Sequence, residues 1–169
     1  PVQALGSLRA GAPVTGVHLA LACASHSGEP RHLEGVRAIL AASGLSVGDL
    51  RNTPDLPVGD DPRAAWLAAG KGKESLAQNC SGKHATMLAA CVASGWTTDD
   101  YLDPGHPLQR LIRATAEEVT GEPIVATAVD GCGAPVHAFA LAGLARAFGR
   151  FACANEGAER AIARAMSAH

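Results

Sequence analysis

Residues 79–95 read Asn-Cys-Ser-Gly-Lys-His-Ala-Thr-Met-Leu-Ala-Ala-Cys-Val-Ala-Ser-Gly, and this stretch admits one local structure. Alanine, leucine and methionine favour helix, and Gly95 falls one step past the last periodic residue, where a left-handed stop is usual. Cys80 and Lys83 stand three positions apart, so on a helical first turn their side chains share a face. The same turn offers free backbone N–H groups and the positive end of the helix dipole, both of which favour thiolate over thiol. A thiol, a hydroxyl, an amine and an imidazole between Cys80 and His84 exceed what an apolar helix needs for packing.

Other helices read off the same way. Residues 2–10 form a short one closed by Gly11, and Val14–Ala24 forms another with Thr15 as its cap. Glu29–Ser43 places Leu33, Val36, Ile39 and Leu40 on one stripe, with Pro30 in its first turn and Gly44 past its end. Residues 45–63 hold several Pro, Asp and Gly and read as a loop with at most one short helix. Asp61-Pro62 opens a helix to about Ala69. Gly70-Lys71-Gly72-Lys73 is a basic connector that does not meet the phosphate-loop pattern. Pro107–Thr120 is amphipathic, with Leu108, Leu111, Ile112 and Val119 inward and Gly121 after it. Pro123–Val129 is the one predicted strand, and Pro135–Phe151 and Asn155 onward are predicted helices.

The chain has 169 residues, 47% of them hydrophobic, 18% charged and only 4% aromatic. That predicts one globular unit with a close-packed, ring-poor helical core. The net charge of −2 makes no electrostatic case for nucleic acid or an anionic membrane. No apolar run approaches a membrane span and no charged-then-apolar signal segment opens the sequence. The expected location is cytoplasmic. Five cysteines without a C-x-x-C pair favour free thiols, metal ligands or catalysis over a disulfide framework. The chain starts at Pro1 in what reads as mid-helix and ends at His169 in another helix, so an internal piece of a longer protein is expected.

Three polar islands interrupt the Ala/Leu-rich pattern: Ser25-His26-Ser27-Gly28-Glu29, Asn79 to His84, and Asp130-Gly131-Cys132-Gly133. All fall at element junctions, where functional groups can converge. The glycines around Cys132 free its backbone for a close approach, although a buried thiol in a tight turn explains them equally. If Cys80 and Cys132 meet, two thiolates plus nitrogen ligands suit a tetrahedral zinc site with an open position. Lys83 would coordinate only as the neutral amine. His84 is the more conventional nitrogen but leaves the turn at a different angle, which suits a supporting position. Ser25 and Ser27 beside Glu29 invite a nucleophile reading, against which stands plain helix capping. Asp130 before Gly131 is a turn former as readily as a catalytic acid. Cys23, Cys91 and Cys153 lie in apolar helical patterns and are expected to pack in the core. His18, His32, His106, His137 and His169 carry no assigned role.

Taken together, Ala22-Cys23-Ala24-Ser25-His26-Ser27-Gly28-Glu29, Asn79-Cys80-Ser81-Gly82-Lys83-His84 and Asp130-Gly131-Cys132-Gly133-Ala134-Pro135 resemble the asparaginase II family, the thermolabile, rhizobial-type L-asparaginases. The resemblance implies an α/β chain, the mostly helical portion of a serine β-lactamase/glutaminase-like fold with most sheet strands outside it. Residues 1–169 would then be a partial catalytic domain, with a Ser-x-x-Lys tandem directly before the segment matching Pro1-Val2-Gln3. It further implies zinc held by Cys80, Lys83 and Cys132, with Asp130 and His84 around the site and either Ser25 or Ser27 as a second active-site serine. The implied reaction is hydrolysis of the L-asparagine side-chain amide, and the implied assembly is a homodimer. Two alternatives remain: a metal-independent serine glutaminase or β-lactam-recognising protein, and a non-catalytic metal-binding or thiol-sensing protein.

Overall fold

In the computed structural model, which describes residues 1–169, one helix runs through the middle of the others. That helix is α5, Ser81–Ala93, and every residue from His84 to Cys91 is buried. The remaining helices are α1 (Val2–Arg9), α2 (Gly16–Cys23), α3 (Pro30–Ala42), α4 (Asp60–Ala68), α6 (Pro107–Thr120), α7 (Leu141–Cys153) and α8 (Gly157–Ala168). A 3-10 turn at Val47–Asp49 is the single short helix inside the 45–63 loop. Helices α1, α2 and α3 pack on α5, while α6 joins α1 to α7, and α8 closes against α2, α7 and α1.

Small side chains set these crossings. A Cβ on Gly6 would lie 2.7 Å from Ile112 Cγ1, so α1 rests directly on α6. Leu5, Leu19, Leu40, Leu76, Leu88 and Ile112 are fully buried among alanines, and the largest fully buried side chain is Tyr101. The expected ring-poor core is present, with one ring at a telling place.

Helix α6 has its predicted bounds because Pro107 occupies its first turn and Gly121 ends it at φ +70°. His106, without a role in the sequence reading, caps it by accepting the Leu108 N–H at Nδ1, 3.1 Å away. Thr15 stands at the N-cap position of α2, but its side chain makes no cap bond.

The strand region departs from expectation. Strand β1 is Ala126–Val129, shorter than predicted, and it pairs antiparallel with β2, Pro135–Ala138, in the register Ala126↔Ala138 to Val129↔Pro135. Pro135–Ala138 is thus a strand where the sequence predicts the start of a helix. The turn at 130–134 folds it back, because Asp130 N–H bonds Ala134 O and Gly133 N–H bonds Asp130 O with Gly133 at φ +87°. The helix therefore starts only at Leu141. Cys153, expected in the core, is exposed at the end of α7. The chain is α/β and mostly helical, with one two-stranded sheet.

Candidate metal centre

The start of α5 is built by the turn before it. Gln78 Oε1 accepts the Cys80 N–H at 2.9 Å, which fixes the backbone of the residue just ahead of the helix. Ser81 Oγ donates to Leu76 O at 2.8 Å and lies 2.8 Å from His26 Nε2. Since the single hydroxyl proton of Ser81 goes to Leu76, His26 must donate from Nε2. The His26 backbone N–H in turn bonds Asn79 O at 3.0 Å, so the first polar island is stitched to the second.

The β1–β2 turn supplies the other half. It brings Cys132, itself buried, over the first turn of α5. Cys80 Sγ, a carboxylate oxygen of Asp130 and Cys132 Sγ all lie within 4.8 Å of one another. Lys83 Nζ donates to Cys132 Sγ at 3.3 Å and stands 3.8 Å from Asp130 Oδ2. Cys132 Sγ is also 3.3 Å from Asp130 Oδ2, so its one thiol proton is shared between that carboxylate and the Cys80 sulfur.

These groups perturb one another. Hydrogen bonding from Cys132 is the main force that lowers Cys80 to about 6, with help from the Lys83 charge and against the upward push of burial. The same interaction, together with burial, pushes Cys132 up to about 12. One proton of the pair is therefore held tightly and the other weakly. Burial alone would raise Asp130, but hydrogen bonds from Cys132 and the Gly131 N–H, and the nearby Lys83 charge, hold its carboxyl below the usual range. Burial lowers His84, which keeps its imidazole neutral beside this cluster.

The donor set fits zinc. Two cysteine sulfurs and a carboxylate oxygen are donors that zinc accepts, and sulfurs bound at ~2.3 Å in a tetrahedron stand about 3.8 Å apart. The observed spacing closes to that with small side-chain movements. The Nε2 of His84, the residue after Lys83, is buried with no hydrogen-bond partner.

The two serines part company. Ser25 Oγ lies 3.9 Å from Cys80 Sγ and is exposed at the rim of the cluster. Ser27 faces α3: it donates to Glu29 Oε1 at 2.9 Å and sits 3.4 Å from His32 Nδ1. Its proton is committed to a carboxylate, so His32 does not activate it. Neither serine caps α3, whose N-cap is Glu29 without a side-chain bond.

A third component, the segment Arg51-Asn52-Thr53, goes unmarked in the sequence reading. The Arg51 N–H bonds the Tyr101 hydroxyl at 3.3 Å, and that hydroxyl is 2.8 Å from His84 Nδ1. Asn52 Nδ2 bonds Gln78 Oε1 at 3.0 Å, alongside Cys80 N. The Thr53 N–H bonds Cys132 O at 3.2 Å. Three consecutive residues therefore touch three arms of the site. The only sequence signal is a polar Asn beside an otherwise Pro/Gly-rich loop.

Two thiols, an amine and a carboxylate gathered at a helix start, with an exposed serine hydroxyl against Cys80 at the rim, define an α/β protein with a candidate metal-binding centre. The sequence matches the family model described as L-asparaginase II over residues 1–169, and the chain belongs to that family. It is thereby an asparaginase-type hydrolase. No individual curated protein matches it.

Proposed function

We propose that the chain belongs to an enzyme that hydrolyses the side-chain amide of L-asparagine to aspartate and ammonia, with zinc held by Cys80, Lys83 and Cys132. The observation that carries the reading is the convergence of Cys80 and Lys83 with Asp130 and Cys132 while Ser25 stands exposed beside Cys80. On this reading residues 1–169 are the helical portion of a catalytic domain with a serine β-lactamase/glutaminase-like fold, in a homodimeric enzyme.

Bound there, zinc would supply a fixed positive charge that balances the thiolates and helps orient the charged groups of an amino-acid substrate. The residues of this chain hold and align. Lys83 would hold the metal through Nζ as the neutral amine, from the position where it now donates to Cys132. Asp130, about half exposed at its side chain, presents a carboxylate suited to the substrate's α-ammonium group. Ser25 offers its hydroxyl to the reacting amide. The nucleophile of the reading is the serine of a Ser-x-x-Lys tandem, whose proton passes to the neutral lysine as its oxygen attacks the amide carbon. The lysine returns that proton to the leaving nitrogen, ammonia departs, and water cleaves the resulting ester.

The test is zinc content together with ammonia release from L-asparagine, on full-length protein and its Cys80→Ser variant. Stoichiometric zinc and activity falling together in the variant support the reading. Asparagine hydrolysis without zinc overturns the metal assignment. Turnover of glutamine or a β-lactam but not asparagine overturns the substrate.

A further inference from the structure

Tyr101 is fully buried, and its hydroxyl has two neighbours: it accepts the Arg51 N–H and lies 2.8 Å from His84 Nδ1. The phenolic proton therefore has one acceptor within reach, and that acceptor is Nδ1. Burial pushes the phenol's pKa up, so the hydroxyl stays a donor. A ring that accepts at Nδ1 carries its own proton on Nε2 when neutral. The rings meet edge-on, at 76° with centroids 5.8 Å apart, which suits a directed O–H···N contact.

The Nε2–H so defined is a buried donor with no partner. Buried polar groups are rarely left so, and each exception calls for an explanation. His84 directly follows Lys83, whose Nζ reaches the buried Cys132 Sγ at 3.3 Å, so the sulfur of the β1–β2 turn lies over the same first turn of α5 that carries the ring. A thiolate held by a metal is the acceptor that the donor lacks.

We propose that Tyr101 is a positioning residue: its hydroxyl locks His84 in the Nε2–H tautomer and aims that N–H at the Cys132 sulfur, backing the thiolate as a metal ligand. The proposal rests on the metal-site reading above. It gives His84 a role distinct from coordination, since its only free nitrogen carries a proton and has no lone pair to offer. Outer partners of this kind fix ligand orientation and typically carry a ten- to hundredfold share of metal affinity.

The experiment is nitrogen NMR of full-length protein labelled at histidine, with and without zinc, alongside zinc affinity by competition with a chromophoric chelator. The wild type is expected to show unprotonated Nδ1 and protonated Nε2 at His84 in both states. Tyr101→Phe is expected to mix the tautomers and to weaken zinc about tenfold or more. Cys132→Ala in zinc-free protein is expected to shift the Nε2 resonance. A protonated Nδ1 in the wild type overturns the proposal, as does a Tyr101→Phe protein with unchanged tautomer and zinc affinity, or an Nε2 signal indifferent to Cys132. Wild-type protein that binds no zinc sinks the metal reading alone, because the zinc-free tautomer and its response to Cys132 still decide Tyr101's part. If Tyr101→Phe does not fold, the wild-type tautomer and the Cys132→Ala shift decide between the two outcomes.

Discussion

The α-carbon of Gly82 rests against the carbonyl of Leu21: a Cβ there would stand 2.7 Å from Leu21 O and 2.6 Å from Leu21 Cγ. Helix α5 can thus lie against the end of α2, and the chain leaving α2 delivers Ser25 to Cys80. Gly82→Ala is expected to destabilise the fold by about 1–3 kcal/mol, the range for overpacking a tight contact. Gly149→Ala meets nothing within 4 Å in helix α7 and is expected to stabilise by up to ~1 kcal/mol through helix propensity. Thermal melts of the two variants check the contrast.

In metal-free protein one thiol is expected to titrate near pH 6, that of Cys80, and Cys80→Ser removes that step. Cysteines in apolar surroundings are displaced the other way, Cys91 up to about 11 by burial. Alkylation rate against pH, with mass spectrometry to locate the label, reads this directly. Since the folded Cys80 value lies below the unfolded value of 9.0, its contribution to stability is present above pH 9 and is lost as pH falls toward 6. Zinc protects Cys80 from alkylation if the proposed site binds it.

His26 gives an acid-side prediction. Burial lowers its folded value to about 4 from 6.5, with a smaller push from His32. The unfolded chain therefore binds the proton first, and stability falls as pH drops from 6.5 toward 4. His26→Gln, which keeps a donor for Ser81, is expected to flatten that decline in melts taken across the window.

Much of the architecture is legible in sequence where backbone chemistry dictates form. Pro107 and Gly121 bracket α6 because one lacks an N–H that a first turn never uses and the other tolerates positive φ. The pairing of Cys80 with Lys83 follows from helical spacing. Their meeting with Cys132 does not, because it depends on a turn that folds Pro135–Ala138 back as a strand. The Ala- and His-containing run after Pro135 has no period that distinguishes strand from helix over four residues. Ser25 and Ser27 are inseparable for a similar reason: two positions apart in an irregular segment, they point to different neighbours, which only tertiary packing decides. Tyr101 looks like a turn residue in sequence and is the largest fully buried side chain in the fold, since no one-dimensional pattern marks a lone aromatic.

Asn52→Ala is expected to cost about 1–3 kcal/mol, because it strips the Ser75 carbonyl and the Gln78 side chain of a buried donor. If the proposed site binds zinc, the variant should also loosen it about tenfold, as Gln78 then holds Cys80 N with only its bond to Asn79 Oδ1 to steady it. Denaturant melts and chelator competition measure the two effects, and an unchanged zinc affinity would show that the clasp serves folding alone.

Loops are ordinarily where a chain absorbs insertions without consequence. Arg51, Asn52 and Thr53 invert that: each bonds a different arm of the site, through Tyr101, Gln78 and Cys132 in turn. A slip of one residue here would break three attachments together, and the imidazole, the helix start and the thiol turn would lose their common reference. The stretch whose composition marks it as expendable is the part of the surface with a fixed length, and variation in chain length is to be sought on either side of it.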